Sequence, residues 1–277
     1  MPRPRADGPT AGLRSGSRPL VFAHRGSSAS LPEHTLAAYL RAIEEGADGL
    51  ECDVRLSRDG HLVCVHDRRL ERTSNGRGRV SAYTLAELER LDYGSWHTGT
   101  GAADDVPPDP ARTRLLTLDT LLGAVRDAGR DIELLIETKH PSRSGSAVER
   151  RLVTLLHRYG LADPRPDDPV RATVMSFSPL AVRQVHRLAP RLATVLLMDL
   201  LPPVVRRGRL PYGARIAGPS LKLLGNRPGL VPALHAAGNR VYVWTVNDEP
   251  ALDLALARGV DGIITDRPAM VLDRLGR

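Results

Sequence analysis

The sequence has few cysteines, few aromatic residues and no long apolar run. Only Cys52 and Cys64 occur among 277 residues, which excludes a disulfide framework and favours a reducing compartment, so a cytoplasmic location is expected. Aromatic residues make up 4% of the chain and hydrophobic residues 42%, so the core must be mainly aliphatic. Because a membrane-spanning helix needs about 20 consecutive apolar residues, no stable membrane anchor is expected.

Lysine is nearly absent as well, although the chain is basic. Of 39 basic residues, only Lys139 and Lys222 are lysines, and the net charge is +7. This charge fits an anionic substrate or weak attraction to an anionic surface. No basic run is interleaved with aromatic residues, so a nucleic-acid partner is not expected. Residues 1–18 hold arginine, proline and glycine without an apolar segment, which predicts a disordered basic tail rather than a signal peptide.

Short β-rich runs alternate with amphipathic helix patterns along the rest of the chain. Strands that are apolar on both faces and separated by helices indicate a parallel sheet covered on both sides. About eight such units predict an α/β fold, a TIM (β/α)8-type barrel, over residues 19–277. An open doubly wound sheet is the alternative, but no glycine-rich dinucleotide motif follows the first strand. The predicted strands lie at 20–24, 49–56, 61–67, 132–138, 172–178, 193–198, 215–220, 240–246 and 261–266.

The second and third predicted strands are joined by too few residues for a parallel crossover, and Asp59-Gly60 is a hairpin signal. A two-residue turn would place Asp53 opposite His66, and Cys64 would share the face of Asp53. The following segment, residues 68–114, is too long for a simple loop. It is therefore predicted to be an insertion over one face of the barrel, after the hairpin of the second strand.

Carboxylates gather at the predicted carboxyl ends of the strands, where a TIM barrel carries its active site. Glu51 and Asp53 share one strand face because side chains alternate, and Glu137 comes from another strand. Three neighbouring carboxylates repel one another unless protons or a cation compensate, and oxygen ligands suit Mg²⁺ or Ca²⁺. The alternative is an ordinary salt-bridge network, with partners at Arg25, Arg55 and Lys139.

Two histidines and two cations complete the candidate site. His24 and His66 both end apolar strands on the same rim, and a pair of imidazoles is suited to acid and base roles near neutral pH. Arg25 and Lys139 would stabilise the negative charge that develops on phosphate oxygens. No GxSxG motif is present, and neither cysteine lies in a nucleophile motif.

Several motifs, taken in their order along the chain, match the pattern of one protein family. The chain resembles the glycerophosphodiester phosphodiesterases, which are TIM barrels with a characteristic insertion. The resemblance implies hydrolysis of small glycerophosphodiesters, such as deacylated phospholipids, to glycerol 3-phosphate and an alcohol. The matching segments are "AHRGSSASLPEHT" (23–35), "GADGLECDVRLSRDGHLVCVHD" (46–67), "RTSNGRG" (72–78), "IETK" (136–139), "VWTVND" (243–248) and "GVDGIITDRP" (259–268).

The resemblance also implies roles for individual residues. His24 and His66 would be the general acid/base pair. Attack by the neighbouring glycerol hydroxyl and attack by water both stay open. Two positions depart from the family, because His34 stands where an asparagine is usual and Leu116 stands where a proline is usual, before Thr117-Leu118. A divalent cation, Ca²⁺ or Mg²⁺, would be held by Glu51, Asp53 and Glu137, and the substrate would be contacted by Arg25, Lys139 and Trp244.

Two other functions compete with this interpretation. A lysophospholipase D or sphingomyelinase-D-like enzyme on the same barrel would be favoured by an exposed apolar rim in the insertion, where Trp96 is the only hint. The second competing function is that of a non-catalytic barrel that binds phosphorylated ligands. Binding alone, however, does not require a histidine pair beside a carboxylate cluster. The oligomeric state and the role of Lys222 are not predicted.

Overall fold

The computed structural model describes residues 18–97, 109–140, 145–165, 167–203 and 205–277. The predicted tail lies outside these residues except for Arg18. Every predicted strand is present, and the third is shortened to three residues. The strands are β1 Leu20–His24, β2 Gly49–Leu56, β3 Leu62–Cys64, β4 Ile132–Thr138, β5 Val170–Ser176, β6 Ala193–Met198, β7 Ile216–Pro219, β8 Arg240–Val243 and β9 Gly262–Thr265.

The helices of the described residues lie between these strands, and several begin at a capping side chain. Thr35, Thr117, Ser178 and Asp248 each accept a hydrogen bond from a first-turn amide, which stabilises the helix start. The helices are α1 Leu36–Glu44, α2 Leu85–Leu88, α3 Pro110–Thr113, α4 Leu118–Asp127, α5 Ala147–Arg158, α6 Pro179–Leu188, α7 Leu221–Asn226, α8 Leu230–Ala236, α9 Glu249–Arg258 and α10 Pro268–Arg274.

Eight parallel strands close into a barrel, which confirms the predicted TIM fold. The order is β1-β9-β8-β7-β6-β5-β4-β2, and β1 closes the ring by pairing with β2. In each βα unit the strand runs toward one face of the barrel, so the loops after the strands all meet at that carboxyl-terminal face. The residues that end β1, β2 and β4 are therefore brought together, although they are far apart in the chain.

The core has two kinds of layer. Inside the barrel, aromatic and aliphatic side chains such as Phe22, Tyr242 and Ile264 pack together. Between the strands and the helices lies an aliphatic layer, with Leu50 and Cys52 on the barrel side and Leu121 and Leu152 on the helices. The alternation of strand side chains thus separates the interior of the barrel from its outer layer.

The hairpin prediction is wrong in register. Val54 pairs with Cys64 and Leu56 with Leu62 in the antiparallel β2–β3 ladder. The connection is the five-residue loop 57–61, closed by hydrogen bonds between Ser57 and His61, and not a two-residue turn. Because one residue of shift reverses every side chain, Cys64 lies with Cys52 in the outer layer and not on the carboxylate face.

The predicted insertion forms a small unit with its own core. Val63 and Val65 of the hairpin arm pack against Leu70, Leu88 and Tyr93. Helix α2 of the insertion begins with a capping box between Thr84 and Glu87. Residues 98–108 of this segment are outside the described residues. Within the described ranges no helix is long and apolar enough to cross a bilayer.

Candidate active site

A cavity of about 170 Å³ opens at the carboxyl-terminal face of the barrel. One wall carries charge, with two histidines, two cations and two carboxylates. The opposite wall is apolar and includes Met175, Phe177 and Trp244. The predicted site residues that line it are His24, Arg25, Glu51, His66, Glu137, Lys139 and Trp244. Asp53 lies directly behind them, since its carboxylate contacts both Lys139 and Arg25.

The loop after β1 is held in an unusual backbone conformation. Arg25 has φ +59° and Gly26 φ +89°, both in the left-handed region that glycine tolerates best. A side chain at Gly26 would also collide with the backbone of Ala38, whose carbonyl carbon lies 2.6 Å from where a Cβ would be. The turn directs the Arg25 amide to the Glu51 carboxylate, with N to Oε2 at 3.1 Å.

Glu51, Asp53 and Glu137 form a compact buried cluster. One carboxylate oxygen from each lies within 4.8 Å of the other two. Register explains this geometry, because Asp53 of β2 is directly beside Glu137 of β4. The Lys139 ammonium lies 2.9 Å from Asp53 Oδ1 and 2.9 Å from Glu137 Oε1. Glu137 and Lys139, two residues apart in the chain, thus both direct their charged groups to the Asp53 carboxylate.

The electrostatics of the cluster are uneven. Burial, reinforced by the charge of Asp53, raises the pKa of Glu51 well above its usual value and the pKa of Glu137 to about 7. Burial would also raise the pKa of Asp53, but Lys139, His34 and Arg25 together hold it well below its usual value. The neighbouring cations therefore neutralise Asp53 while leaving the other two carboxylates short of positive charge.

These residues fit a divalent cation. Three carboxylates offer the hard oxygen ligands that Mg²⁺ and Ca²⁺ prefer. Asp53 Oδ1 is buried and makes no hydrogen bond of good geometry, although the Lys139 ammonium is close by. The raised pKa of Glu137 indicates the same deficit of positive charge, which a cation bound by the three carboxylates would relieve.

Each histidine of the pocket has a carboxylate behind it. His24 Nδ1 lies 2.6 Å from Asp266 Oδ1, and His66 Nδ1 lies 2.6 Å from Asp67 Oδ1. Hydrogen bonds lower the pKa of both aspartates against the opposing effect of burial. An ionised carboxylate only accepts, so Nδ1 carries the proton in both rings, and Nε2 is left to face the pocket.

His66 is neutral at physiological pH. Burial, aided by the charges of Arg25 and Lys139, lowers its pKa to about 4. His66 reaches the pocket although the predicted pairing with Asp53 is wrong, because the chain leaves the β3 ladder after Cys64. Arg55 then anchors the backbone there by donating two hydrogen bonds to the His66 carbonyl oxygen.

His34, at one of the positions that depart from the family pattern, is fully engaged in the site. Its Nε2 lies 2.9 Å from Asp53 Oδ2 and its Nδ1 lies 2.8 Å from the Tyr39 hydroxyl. Burial lowers the pKa of His34 despite the opposing hydrogen bond and charge of Asp53. The Tyr39 hydroxyl also donates to the Glu51 carbonyl oxygen at 3.0 Å, so a chain of hydrogen bonds runs from Asp53 through His34 and Tyr39 to the backbone of β2 and fixes the carboxylate.

A residue of the insertion also supports the site. The Arg72 guanidinium bonds Asp67 Oδ2 at 2.6 Å and Glu33 at 2.7 Å, and Glu33 in turn contacts Arg25 at 3.1 Å. One side chain thus ties the partner of His66 to the loop that carries Arg25. Asp67, Arg72 and Asp266 lie within the motifs that match the family, but their contacts to other loops were not predicted from the sequence.

Together, the fold and the pocket define a TIM-barrel enzyme whose charged site lies at the carboxyl-terminal face. The model of the glycerophosphoryl diester phosphodiesterase family matches residues 24–270. The chain is 51% identical over 252 residues to a protein of Mycobacterium tuberculosis named probable glycerophosphodiester phosphodiesterase 1, covering 90% of each chain. It is 32% identical to a glycerophosphodiester phosphodiesterase of Bacillus subtilis, over 92% of this chain and 86% of that one.

Solved structures agree with these relatives. A phosphodiesterase of Oleispira antarctica in complex with the product sn-glycerol-3-phosphate superimposes with a TM-score of 0.76, at 26% identity, covering 94% of this chain and 97% of that one. The chain belongs to the glycerophosphoryl diester phosphodiesterase family. It is accordingly a phosphoric diester hydrolase.

Proposed function

We propose that the protein is a metal-dependent glycerophosphodiester phosphodiesterase. It hydrolyses glycerophosphodiesters to glycerol 3-phosphate and an alcohol, with His24 and His66 as acid and base. The main support for this proposal is that the carboxylate cluster and both imidazoles meet at one cavity of about 170 Å³. Support for the small-molecule substrate comes from the Oleispira antarctica relative, which is described with the product sn-glycerol-3-phosphate bound.

In this proposal, Glu51, Asp53 and Glu137 hold the cation, Ca²⁺ or Mg²⁺. When bound, a divalent cation supplies Lewis-acid stabilisation of negative charge on the phosphoryl oxygens. Arg25 and Lys139 bind the same phosphate from the protein side. Lys139 is suited to this because its compact ammonium is buried, and the charges of Asp53 and Glu137 keep its pKa raised against the effect of burial.

The two histidines move the protons. His66 is neutral, so its Nε2 accepts the proton of the attacking hydroxyl group, from the neighbouring glycerol hydroxyl or from water. His24 Nε2, 3.9 Å from Glu51 Oε2, is placed to carry the proton that the leaving alkoxide takes up. Asp67 and Asp266 keep Nδ1 of each ring protonated and fix the ring orientation, as in other carboxylate–histidine pairs.

The apolar wall positions the non-phosphate part of the substrate. Trp244 donates from its indole to the Gly218 carbonyl oxygen at 2.8 Å, and Phe177 packs edge-on against it with ring centroids 5.3 Å apart. The fixed ring face suits the carbon skeleton of glycerol. The insertion does not favour a lysophospholipase D. Trp96 is half-buried, and no large apolar side chain is exposed in the described part of the insertion.

The decisive experiment follows glycerol 3-phosphate release from glycerophosphocholine, with and without EDTA. We expect release that EDTA abolishes and that Mg²⁺ or Ca²⁺ restores. Absence of release with any added divalent cation would refute the function, and release that persists in EDTA would refute metal dependence. A cytoplasmic location stays a prediction, consistent with two buried, unpaired cysteines.

A further inference from the structure

Three exposed apolar side chains stand around one side of the pocket mouth. Phe177 is 41% exposed, Leu180 67% and Leu200 83%. They follow the carboxyl ends of β5 and β6, which are neighbours in the barrel, and we refer to them as the apolar rim. Single exposed apolar residues are ordinary, but a group at the mouth of a site is typical of an interaction surface.

The apolar rim is continuous with the inside of the pocket. Phe177 both lines the cavity and reaches solvent, and Leu197 lines the cavity three residues before Leu200. Beside them lies the start of α7, because the Ser220 amide donates to the Met198 carbonyl oxygen at 2.9 Å. This places the exposed side chain of Lys222, the second lysine of the chain, next to the rim.

The chain segment that builds this side of the barrel is strongly basic. Between the end of β5 and the loop after β8, residues 177–247 contain ten basic residues and one acidic residue, a net charge of +9. The whole chain has only +7, so the remaining residues sum to −2. Of the nine basic residues whose side chains the structure describes, only Arg191 has an acidic ion-pair partner among the described residues, at 2.9 Å from Asp163.

Two exposed cations of this segment form a cationic flank beside the rim. They are Arg183 of α6, which lines one cleft with Leu180, and Lys222 at the start of α7. Others, such as Arg215 just before β7 and Arg240 at the start of β8, lie at the opposite face of the barrel.

We propose that the apolar rim and its cationic flank dock the protein onto an anionic phospholipid bilayer. Exposed apolar side chains enter the boundary between headgroups and acyl chains, and surface cations attract anionic lipids. The docked pocket faces the membrane. Resting on the proposed function, this geometry presents the pocket to glycerophosphodiesters at an anionic bilayer surface.

The test is sedimentation of the full chain with vesicles of phosphatidylcholine and phosphatidylglycerol in equal amounts, against vesicles of phosphatidylcholine alone. We expect binding to the anionic vesicles that weakens as salt is added. Leu200→Glu should lower the vesicle affinity roughly tenfold, because an apolar contact becomes a repelled charge. Lys222→Gln should lower it roughly fivefold. Neither residue lines the pocket.

Matched controls lie across the barrel. Leu40→Glu changes another exposed leucine, on α1 between β1 and β2, opposite β6 in the strand order. Arg126→Glu removes an exposed cation on α4. Both controls should bind vesicles as the wild type does. Equal binding by Leu200→Glu and the wild type would overturn the proposal, and so would a dimer in solution that Leu200→Glu converts to monomer.

Hydrolysis of glycerophosphocholine in solution separates this proposal from the proposed function. All four variants should retain wild-type activity on that substrate, because none touches the charged wall of the pocket. Wild-type protein that binds anionic vesicles but releases no glycerol 3-phosphate would refute the proposed function and leave the docking surface standing. Protein that is active in solution but never sediments with vesicles would refute the docking surface and leave the proposed function standing.

Discussion

Replacing His34 by alanine should weaken cation binding without changing any of the three carboxylates. The substitution removes the hydrogen bond from His34 Nε2 to Asp53 Oδ2, 2.9 Å long, and leaves that buried oxygen facing a gap. A hydrogen bond to a charged group contributes about 1.5–3 kcal/mol. Loss of a partner that orients a metal ligand costs about 10–100-fold in metal affinity, which corresponds to about 1.4–2.8 kcal/mol. The free energy of the lost hydrogen bond and the expected loss of metal-binding free energy are therefore of the same size.

The assay is calorimetric titration of the metal-free protein with Mg²⁺ and with Ca²⁺, paired with urea unfolding. His34→Asn is the matched variant, because asparagine tolerates the φ of +59° at this position and keeps a donor for Asp53. It should retain most of the affinity. Tyr39→Phe removes the hydroxyl's hydrogen bonds to His34 and to the Glu51 carbonyl oxygen and should cost about 0.5–1.5 kcal/mol of stability for each. Wild-type metal affinity in His34→Ala, with reduced stability in urea, would show that His34 has a purely structural role.

Other predictions address the same site. Lys139→Arg should cost most of the activity while the fold stays intact by circular dichroism; full activity would mean that no compact ammonium is needed there. Glu51→Gln should lower metal affinity and activity together, and unchanged metal binding would refute its ligand role. The pKa of Glu137 is raised to about 7, so its carboxyl group must lose a proton to bind a cation. Metal affinity should therefore increase as the pH rises toward about 7 and then level off. A metal affinity that stays constant from about pH 5 to pH 8 in calorimetry would contradict this. Arg72→Ala should lower kcat more than metal affinity, because it releases Asp67 and with it the orientation of His66; unchanged kcat would show that Asp67 needs no such support.

The strand pattern made the barrel predictable. Runs such as Ile132–Thr138 are buried on both faces, and this double burial is visible in the sequence as apolar residues at both odd and even positions. The carboxylates were predictable for the same reason, since Glu51 and Asp53 interrupt one such run two residues apart and Glu137 interrupts another. The parallel register that places Asp53 beside Glu137 then follows from closure of the barrel.

The contacts that the sequence did not reveal are those between distant loops. The partner of His24 is Asp266, 242 residues away, and no local pattern links them. The hairpin register was mispredicted because Asp59-Gly60 is compatible with several loop lengths, and the hydrogen bonds of Ser57 select the longer one. The helices α7, α8 and α10 have seven or fewer residues, which give too little periodicity to recognise a helix in the sequence.

The corrected position of Cys64 provides a natural reporter for the barrel wall. Cys52 and Cys64 are the only cysteines of the chain, are 0% and 2% exposed, and lie behind the strand that presents Glu51 and Asp53. A thiol reagent therefore reaches them only when β2 and β3 separate from the outer helices. The rate of thiol labelling under native conditions measures how often that wall opens, and a cation that bridges β2 and β4 would slow it.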